Sequence, residues 1–125
     1  MAMIEKTENG TAVLSNDDGG VLIHTNHPID AELAKANASL REPLATNSRK
    51  RFNRANEMLD GSERNVDTMR EFLANSNGEG AICQQGDADF AMIFYPLEKA
   101  FEYWLGSDGP DSAKRINVDE LFAGQ

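Results

Sequence analysis

Cysteine is almost missing from this sequence, because Cys83 is the single one among 125 residues. One thiol cannot form a disulfide within the chain, and a zinc site built from cysteines needs several of them. The composition therefore excludes an internal disulfide and a cysteine-based zinc site, and it fits a reducing compartment.

Long apolar runs are missing as well. The first residues, 1–6, lack the apolar stretch of a signal peptide, and nowhere do about 18 apolar residues follow one another as a membrane span requires. We therefore expect a soluble protein in the cytoplasm, with no membrane as its partner.

Positive charge is scarce, with 12 Lys and Arg against 21 Asp and Glu and a net charge of -9. Nucleic-acid affinity comes largely from basic side chains that displace counterions from phosphates, so nucleic acid is not an expected partner. The basic residues concentrate in the middle of the chain, which favours a local positive site there: Arg41, Arg49, Lys50, Arg51, Arg54, Arg64 and Arg70.

The length and the share of hydrophobic residues, 40%, are typical of one globular domain, which we expect over residues 1–125. Alternation predicts a meander of three short strands at 2–7, 11–15 and 21–25, with turns at 8–10 and 16–20. From Ile29 to Asn47 the periodicity is poor, and we expect an irregular loop with at most one helical turn.

Two helices follow in the prediction. The first runs from Ser48 to Leu59, capped by Thr46, Asn47 or Ser48 and ended at a left-handed Gly61. The second runs from about Asn65 or Val66 to Ala74, with Asn65 as its cap. A strand at 80–85, a hairpin of 89–95 and 100–105 joined through 96–99, a loop at 106–110 and a polar tail at 111–125 complete the chain.

The first arm of the predicted hairpin is apolar on both faces. Phe90, Met92 and Phe94 alternate with Ala91, Ile93 and Tyr95, so each face of the sheet needs a covering layer. The chain has only two clear helices for this purpose. We therefore expect either a homo-oligomer that covers the free face or a missing N-terminal chain that does so.

Polar side chains appear abruptly where the third predicted strand ends, in the segment 24–28. His24 and His27 are three residues apart and would lie on opposite faces of a strand, which argues against a two-histidine metal site. Asn26 offers uncharged amide donors that suit an oxyanion on a carbonyl carbon. The alternative is that Asn26 and His27 only terminate the strand and bond the neighbouring loop.

Four short motifs occur in an order that resembles the penicillin acyltransferase-like family of N-terminal-nucleophile (Ntn) hydrolases, in its C-terminal part. They are the T-N-H turn at 25–27, the S-R-x-R helix start at 48–51, the I-C pair at 82–83 and the segment ending at Gly109-Pro110. The choloylglycine and penicillin V hydrolases, with a similar asparagine-containing turn, are the wider relatives.

The resemblance implies an α+β fold, part of an αββα sandwich of antiparallel strands and helices. It also implies cleavage of linear C–N amide bonds or acyl transfer, with a small amide or an acyl-coenzyme A as substrate and no cofactor or metal. Asn26 matches the asparagine that donates to the oxyanion. The same likeness carries substrate-binding roles to five residues: His24, His27, Ser48, Arg49 and Arg51.

The chain departs from the family pattern in its chemistry. No cysteine precedes the asparagine turn, and Cys83, among apolar neighbours, is expected to be buried and inert. The first arm of the hairpin also lacks the hydroxyl that family members carry. We therefore expect a segment that is inactive alone and needs a Cys-bearing chain. The alternative function is a non-catalytic, homo-oligomeric α+β domain that binds a small molecule or a protein.

Overall fold

The structure, a computed structural model, describes residues 2–7, 10–15, 21–27, 29–36, 42–83 and 90–123. Antiparallel strands and helices occur together, which confirms the predicted α+β class. In chain order the elements are β1 (Ala2–Thr7), β2 (Gly10–Ser15), α1 (Ala31–Ala36), α2 (Glu42–Leu59), α3 (Val66–Ala74), β3 (Phe90–Tyr95), β4 (Ala100–Leu105), β5 (Lys114–Asn117) and α4 (Val118–Phe122), with 3-10 turns at Pro96–Glu98 and Pro110–Ser112.

The elements group into two compact units. The first unit holds β1, β2, α1, α2 and the short return segment Gly78–Gly80, and the second unit holds α3, the strands β3 to β5 and α4. The single domain expected over 1–125 stays a prediction.

In the first unit, β1 and β2 form an antiparallel hairpin in which Met3 faces Leu14 and Ile4 faces Val13. The side chains alternate across it, so that Glu5 is buried while Ile4 and Val13 are 70% and 66% exposed. The predicted third strand at 21–25 is wrong, because no described strand pairs with these residues. Their apolar side chains line a cavity instead. The predicted turn residues 8, 9 and 16–20 lie outside the described residues.

The predicted irregular loop at 29–47 is also wrong, because it contains α1 and the beginning of α2. Asp30 caps α1 through Oδ1, which accepts the amides of Glu32 and Leu33 at 3.0 Å each. Leu33 is buried against β2, where a Cβ added to Gly10 would lie 2.9 Å from Leu33 Cδ2. The glycine therefore lets the helix approach the hairpin closely.

The helix α2 begins at Glu42, six residues before the predicted start at Ser48, so all three predicted caps lie inside the helix. Pro43 lies in its first turn, where a missing amide hydrogen costs nothing. The buried face repeats at helical spacing and consists of small residues, Ala45, Ser48 and Ala55. The end at Leu59 and the left-handed Gly61, with φ of 67°, are as predicted.

The second unit begins with α3, whose predicted cap is confirmed: Asn65 Oδ1 accepts the amide of Thr68 at 2.8 Å. Its sheet has the order β3-β4-β5, so the predicted hairpin is confirmed over the described residues. Within the predicted polar tail, Lys114–Asn117 pair with β4 as a third strand. The strand predicted at 80–85 is wrong for 80–83, which form turns and bends, and Gln84 and Gln85 lie outside the described residues.

The two faces of this sheet differ in burial. On one face, the β4 residues Ala100, Glu102 and Trp104 are no more than 5% exposed. Arg70 of α3 reaches this face and donates two hydrogen bonds to Glu102, from Nε to Oε1 at 2.8 Å and from Nη2 to Oε2 at 2.7 Å. On the other face, Phe90 and Phe94 are 63% and 67% exposed. Cys83 is buried, as predicted.

Candidate functional site

The segment 24–27 is held against β1 by the carboxylate of Glu5, which is only 4% exposed. Oε1 accepts bonds of 2.7 Å from His24 Nε2 and from the amide of Ile29, and Oε2 accepts the amide of Asp30 at 2.9 Å. Burial disfavours the charged carboxylate, but the two amides and His24 outweigh it and hold the pKa of Glu5 below its ordinary value. Glu5 is therefore an anion that fixes both ends of the segment.

A ring of hydrogen bonds ties the same segment to α2. Thr25 Oγ1 donates to the carbonyl of Ser48 at 3.1 Å and accepts from Ser48 Oγ at 3.0 Å. His27 Nδ1 lies 2.9 Å from Ser48 Oγ and 3.0 Å from Thr25 Oγ1. When the hydroxyls donate in these directions, Nδ1 of His27 carries the hydrogen that completes the ring.

This assignment decides what His27 can do. Burial, followed by the charges of Arg49 and His24, lowers the pKa of His27, so its imidazole is neutral at pH 7. With the hydrogen on Nδ1, the lone pair is on Nε2, which bonds none of the residues that the structure describes. His27 therefore cannot take a proton from Ser48 through Nδ1. Ser48, at 1% exposure, supports His27 and does not offer its hydroxyl to solvent.

Asn26 is oriented by α2. Its Oδ1 accepts a bond of 2.5 Å from the guanidinium of Arg51, whose Nε donates to Asn47 Oδ1 at 3.0 Å. An amide that uses its oxygen in this way presents its nitrogen, with two hydrogens, on the other side. Asn26 is exposed, so these donors are accessible to a ligand.

A cavity of about 360 Å³ adjoins this cluster. The ring of His27 packs edge-on against Phe52 at 5.6 Å, and Phe52 is also part of the cavity wall. Most of the wall is apolar, with two polar side chains at its margin: the lining residues are Met3, Val13, Leu14, Ser15, Val21, Leu22, Ile23, Ile29, Phe52 and Asn56.

Arg49 is the second cation near the cavity. It is exposed, and no ion pair joins it to another residue in the described ranges. Its positive charge contributes, after burial, to the lowered pKa of His27. On α2 it shares a stripe with Phe52 and Asn56, three and seven residues further along, and both of these line the cavity.

The predicted site residues thus meet along one helix and one segment, but they face different ways. Asn26 and Arg49 are exposed and Arg51 is half-buried, whereas Ser48 is buried and His24 is engaged by Glu5. Sequence reasoning missed Glu5. The alternation of β1 held the signal, since it places Glu5 on the same face as Met3.

Two kinds of site are not found in the described part of the chain. No group of three or more His, Cys, Asp or Glu side chains is arranged there to hold a metal ion. Of the described helices, none combines the length and the apolar character needed to cross a membrane.

The resemblance noted in the sequence loses two of its structural contexts, because neither 21–25 nor 80–83 forms the strand it implies. The T-N-H turn and the S-R-x-R stretch do lie together, joined through Asn26 and Arg51. Comparison of the chain with protein-family models, with curated proteins and with solved structures finds no match.

Proposed function

We propose that the first unit binds a small acyl compound, a carboxylate or an amide, and that it does not turn this compound over by itself. The observation that carries the proposal is the arrangement around Phe52. Its side chain lines the apolar cavity, and its ring also contacts that of His27, the residue next to Asn26.

The polar groups favour a carbonyl or carboxylate head. The amide hydrogens of Asn26 and the guanidinium of Arg49 are donors, and both are exposed. A ligand oxygen is the natural acceptor for them, and a carboxylate also gains from the positive charge. An ammonium head would meet the same cation, and the carboxylate of Glu5 is buried and already engaged by His24 and two backbone amides.

The cavity favours an aliphatic or small aromatic body. Its volume, about 360 Å³, is at the small end of the range for ligand pockets. Its wall consists largely of Val, Leu, Ile, Met and Phe side chains, so an apolar ligand body that is buried against it would bind favourably.

Turnover is not expected from this site. Ser48 is buried, Thr25 spends its hydrogen on the Ser48 carbonyl, and His27 points its own hydrogen at both hydroxyls. None of these groups is an activated nucleophile. Hydrolysis of an acyl amide by the purified chain would contradict this part of the proposal.

Three eight-carbon compounds test the head-group preference: octanoate, octanamide and octylamine. Isothermal titration at pH 7 should show octanoate and octanamide binding and octylamine failing to bind. Equal binding of all three would mean that the cavity captures any aliphatic chain and that the polar groups play no part. Absence of binding by octanoate and octanamide would refute the proposal.

Matched variants locate the site. Arg49→Gln should weaken the binding of octanoate more than that of octanamide, because only the carboxylate carries a charge. Lys6→Gln removes an exposed charge elsewhere in the unit and should change the binding of neither compound. Asn56→Trp should block the cavity, while Asn53→Trp on the exposed side of the same helix should not.

The amide of Asn26, which Arg51 holds by a hydrogen bond, is the one observation that favours a second candidate function. In this proposal the chain is the C-terminal segment of an Ntn-type amidohydrolase or acyltransferase acting on linear C–N bonds, and a separate chain brings the cysteine. Asn26 would then donate to the oxyanion. Amidase activity that appears on adding a Cys-bearing partner chain and disappears with Asn26→Ala would support it. The sparse cysteine content fits the cytoplasm for either function.

A further inference from the structure

The exposed face of the second unit's sheet is apolar along its whole length. β3, β4 and β5 place eight side chains on it, and the register brings Phe94, Phe101 and Ile116 side by side. The rings of Phe94 and Phe101 are 6.0 Å apart, and those of Phe101 and Tyr103 are 6.3 Å apart. Seven of the eight are apolar or aromatic and one is a lysine: Phe90, Met92, Phe94, Phe101, Tyr103, Leu105, Lys114 and Ile116.

The opposite face is already covered. Trp104 and Glu102 are 2% exposed there, and Arg70 of α3 reaches across to Glu102. The second unit is thus a helix layer and a sheet layer, with the second side of the sheet open to solvent. Phe90, Phe94 and Leu105 are 63%, 67% and 55% exposed. An apolar patch of this kind marks an interaction site.

We infer that a second copy of this chain packs on this face, sheet against sheet about a two-fold axis. The charge on the face selects this occupant. Although the chain carries a net charge of -9, the described strands β3, β4 and β5 place no Asp or Glu side chain on the face, so a basic partner would find no carboxylate to pair with among these residues. An identical apolar face matches it, and Lys114 is on the outer strand β5.

The area of the face sets the expected strength. A fully exposed aromatic side chain offers roughly 150–250 Å², so Phe90 and Phe94 together offer on the order of 250 Å². Leu105 and the half-buried side chains bring the face to roughly 500 Å² per copy. A standard interface buries about 800 Å² per partner, so the dimer belongs to the weak class. The paired sheets would give the layer order helix, sheet, sheet, helix.

Sedimentation analysis over a concentration series tests the dimer. The wild-type chain should associate reversibly with a Kd on the order of micromolar, and added salt should strengthen the association because it screens the repulsion between two acidic copies. Phe94→Glu should raise the Kd by roughly 30-fold or more, because it places a charge among the apolar side chains that the second copy would bury. Leu97→Glu, at a fully exposed position in the turn after β3, is the matched control and should leave the Kd unchanged.

The outcomes separate cleanly. A chain that is monomeric at all concentrations would overturn the inference. A dimer whose Kd is changed neither by Phe94→Glu nor by Leu105→Glu, at the other end of the face, would do so too. Blue-shifted emission from Trp104 shows that each variant is folded, since this buried residue is the single tryptophan. The proposal involves the second unit only, so its failure would leave ligand binding by the first unit untouched.

Discussion

His24 Nε2 donates a hydrogen bond of 2.7 Å to Glu5 Oε1, and in doing so it joins the first strand to the segment that carries Asn26. The carboxylate is 4% exposed and also accepts two backbone amides just before α1. One acidic side chain therefore orients the turn and the following helix together.

Replacing this anion should destabilise the first unit. Glu5→Gln keeps the size of the side chain but loses the charge-assisted bonds, and we expect the free energy of unfolding to fall by about 2 kcal/mol. Amide hydrogen exchange in β1 and β2 measures the loss. Glu32→Gln, which removes an exposed carboxylate bonded to Lys35, is the control and should cost no more than about 0.5 kcal/mol.

Acid should weaken the first unit in two separate windows. The folded pKa of His27 is lowered, so the unfolded chain binds the proton more readily and stability falls as the pH drops below about 6.5. The folded pKa of Glu5 is lowered too, so its contribution is complete above about 4.5 and is lost as the pH falls further. The free energy of unfolding of His27→Gln should lack the fall below about pH 6.5, and that of Glu5→Gln should lack the fall below about pH 4.5. A pH profile unchanged in both variants would contradict this reading.

Gly78 and Gly80 offer a matched pair of substitutions. Both have positive φ, 83° and 74°, so alanine is strained at either position by roughly 1 kcal/mol. A Cβ at Gly80 would also collide with the backbone carbonyl of Lys50, whereas a Cβ at Gly78 would meet nothing. Gly80→Ala should therefore unfold at distinctly lower urea concentration than Gly78→Ala. Equal midpoints would show that the loop does not press on α2.

The bidentate ion pair between Arg70 and Glu102 gives a prediction for the second unit. Arg70 holds the pKa of Glu102 below its ordinary value, and Arg70→Met would leave that carboxylate at 2% exposure without its main partner. The double variant Arg70→Met with Glu102→Met should be more stable than Arg70→Met alone, because an apolar pair leaves no buried charge. Emission from Trp104 during urea unfolding measures both. A double variant less stable than the single one would contradict the argument.

The elements that sequence predicted well are those with a strong local signal. Residues 90–95 are a run of apolar and aromatic strand formers, and Asn65 sits one residue before an apolar helical stripe. The helical start of α2 was missed because Pro43 was read as an interruption, although proline fits a first turn. Residues 21–23, Val-Leu-Ile, look like a strand, yet they face a cavity instead of a ladder.

The candidate site was predictable only in its polar residues. Asn26 and Arg51 stand out as short motifs, and they do meet in the structure. The alternation of β1 indicates only which face Glu5 is on, because the burial of its carboxylate depends on partners 19 to 25 residues away. The bond pattern that fixes the tautomer of His27 likewise needs the three-dimensional positions of Thr25 and Ser48.

Residues 78–80 belong to the first unit, while the residues on either side of them belong to the second. Lys50 forms an ion pair with Glu79, so this return segment is attached to α2. During synthesis, α3 leaves the ribosome before the last piece of the first unit does. A single cut between the units, for instance after Gly61, would deprive the first unit of Gly80. To express the first unit separately, residues 78–80 must therefore be kept with residues 1–61. They can be joined through a linker, or the return segment can be supplied as a peptide.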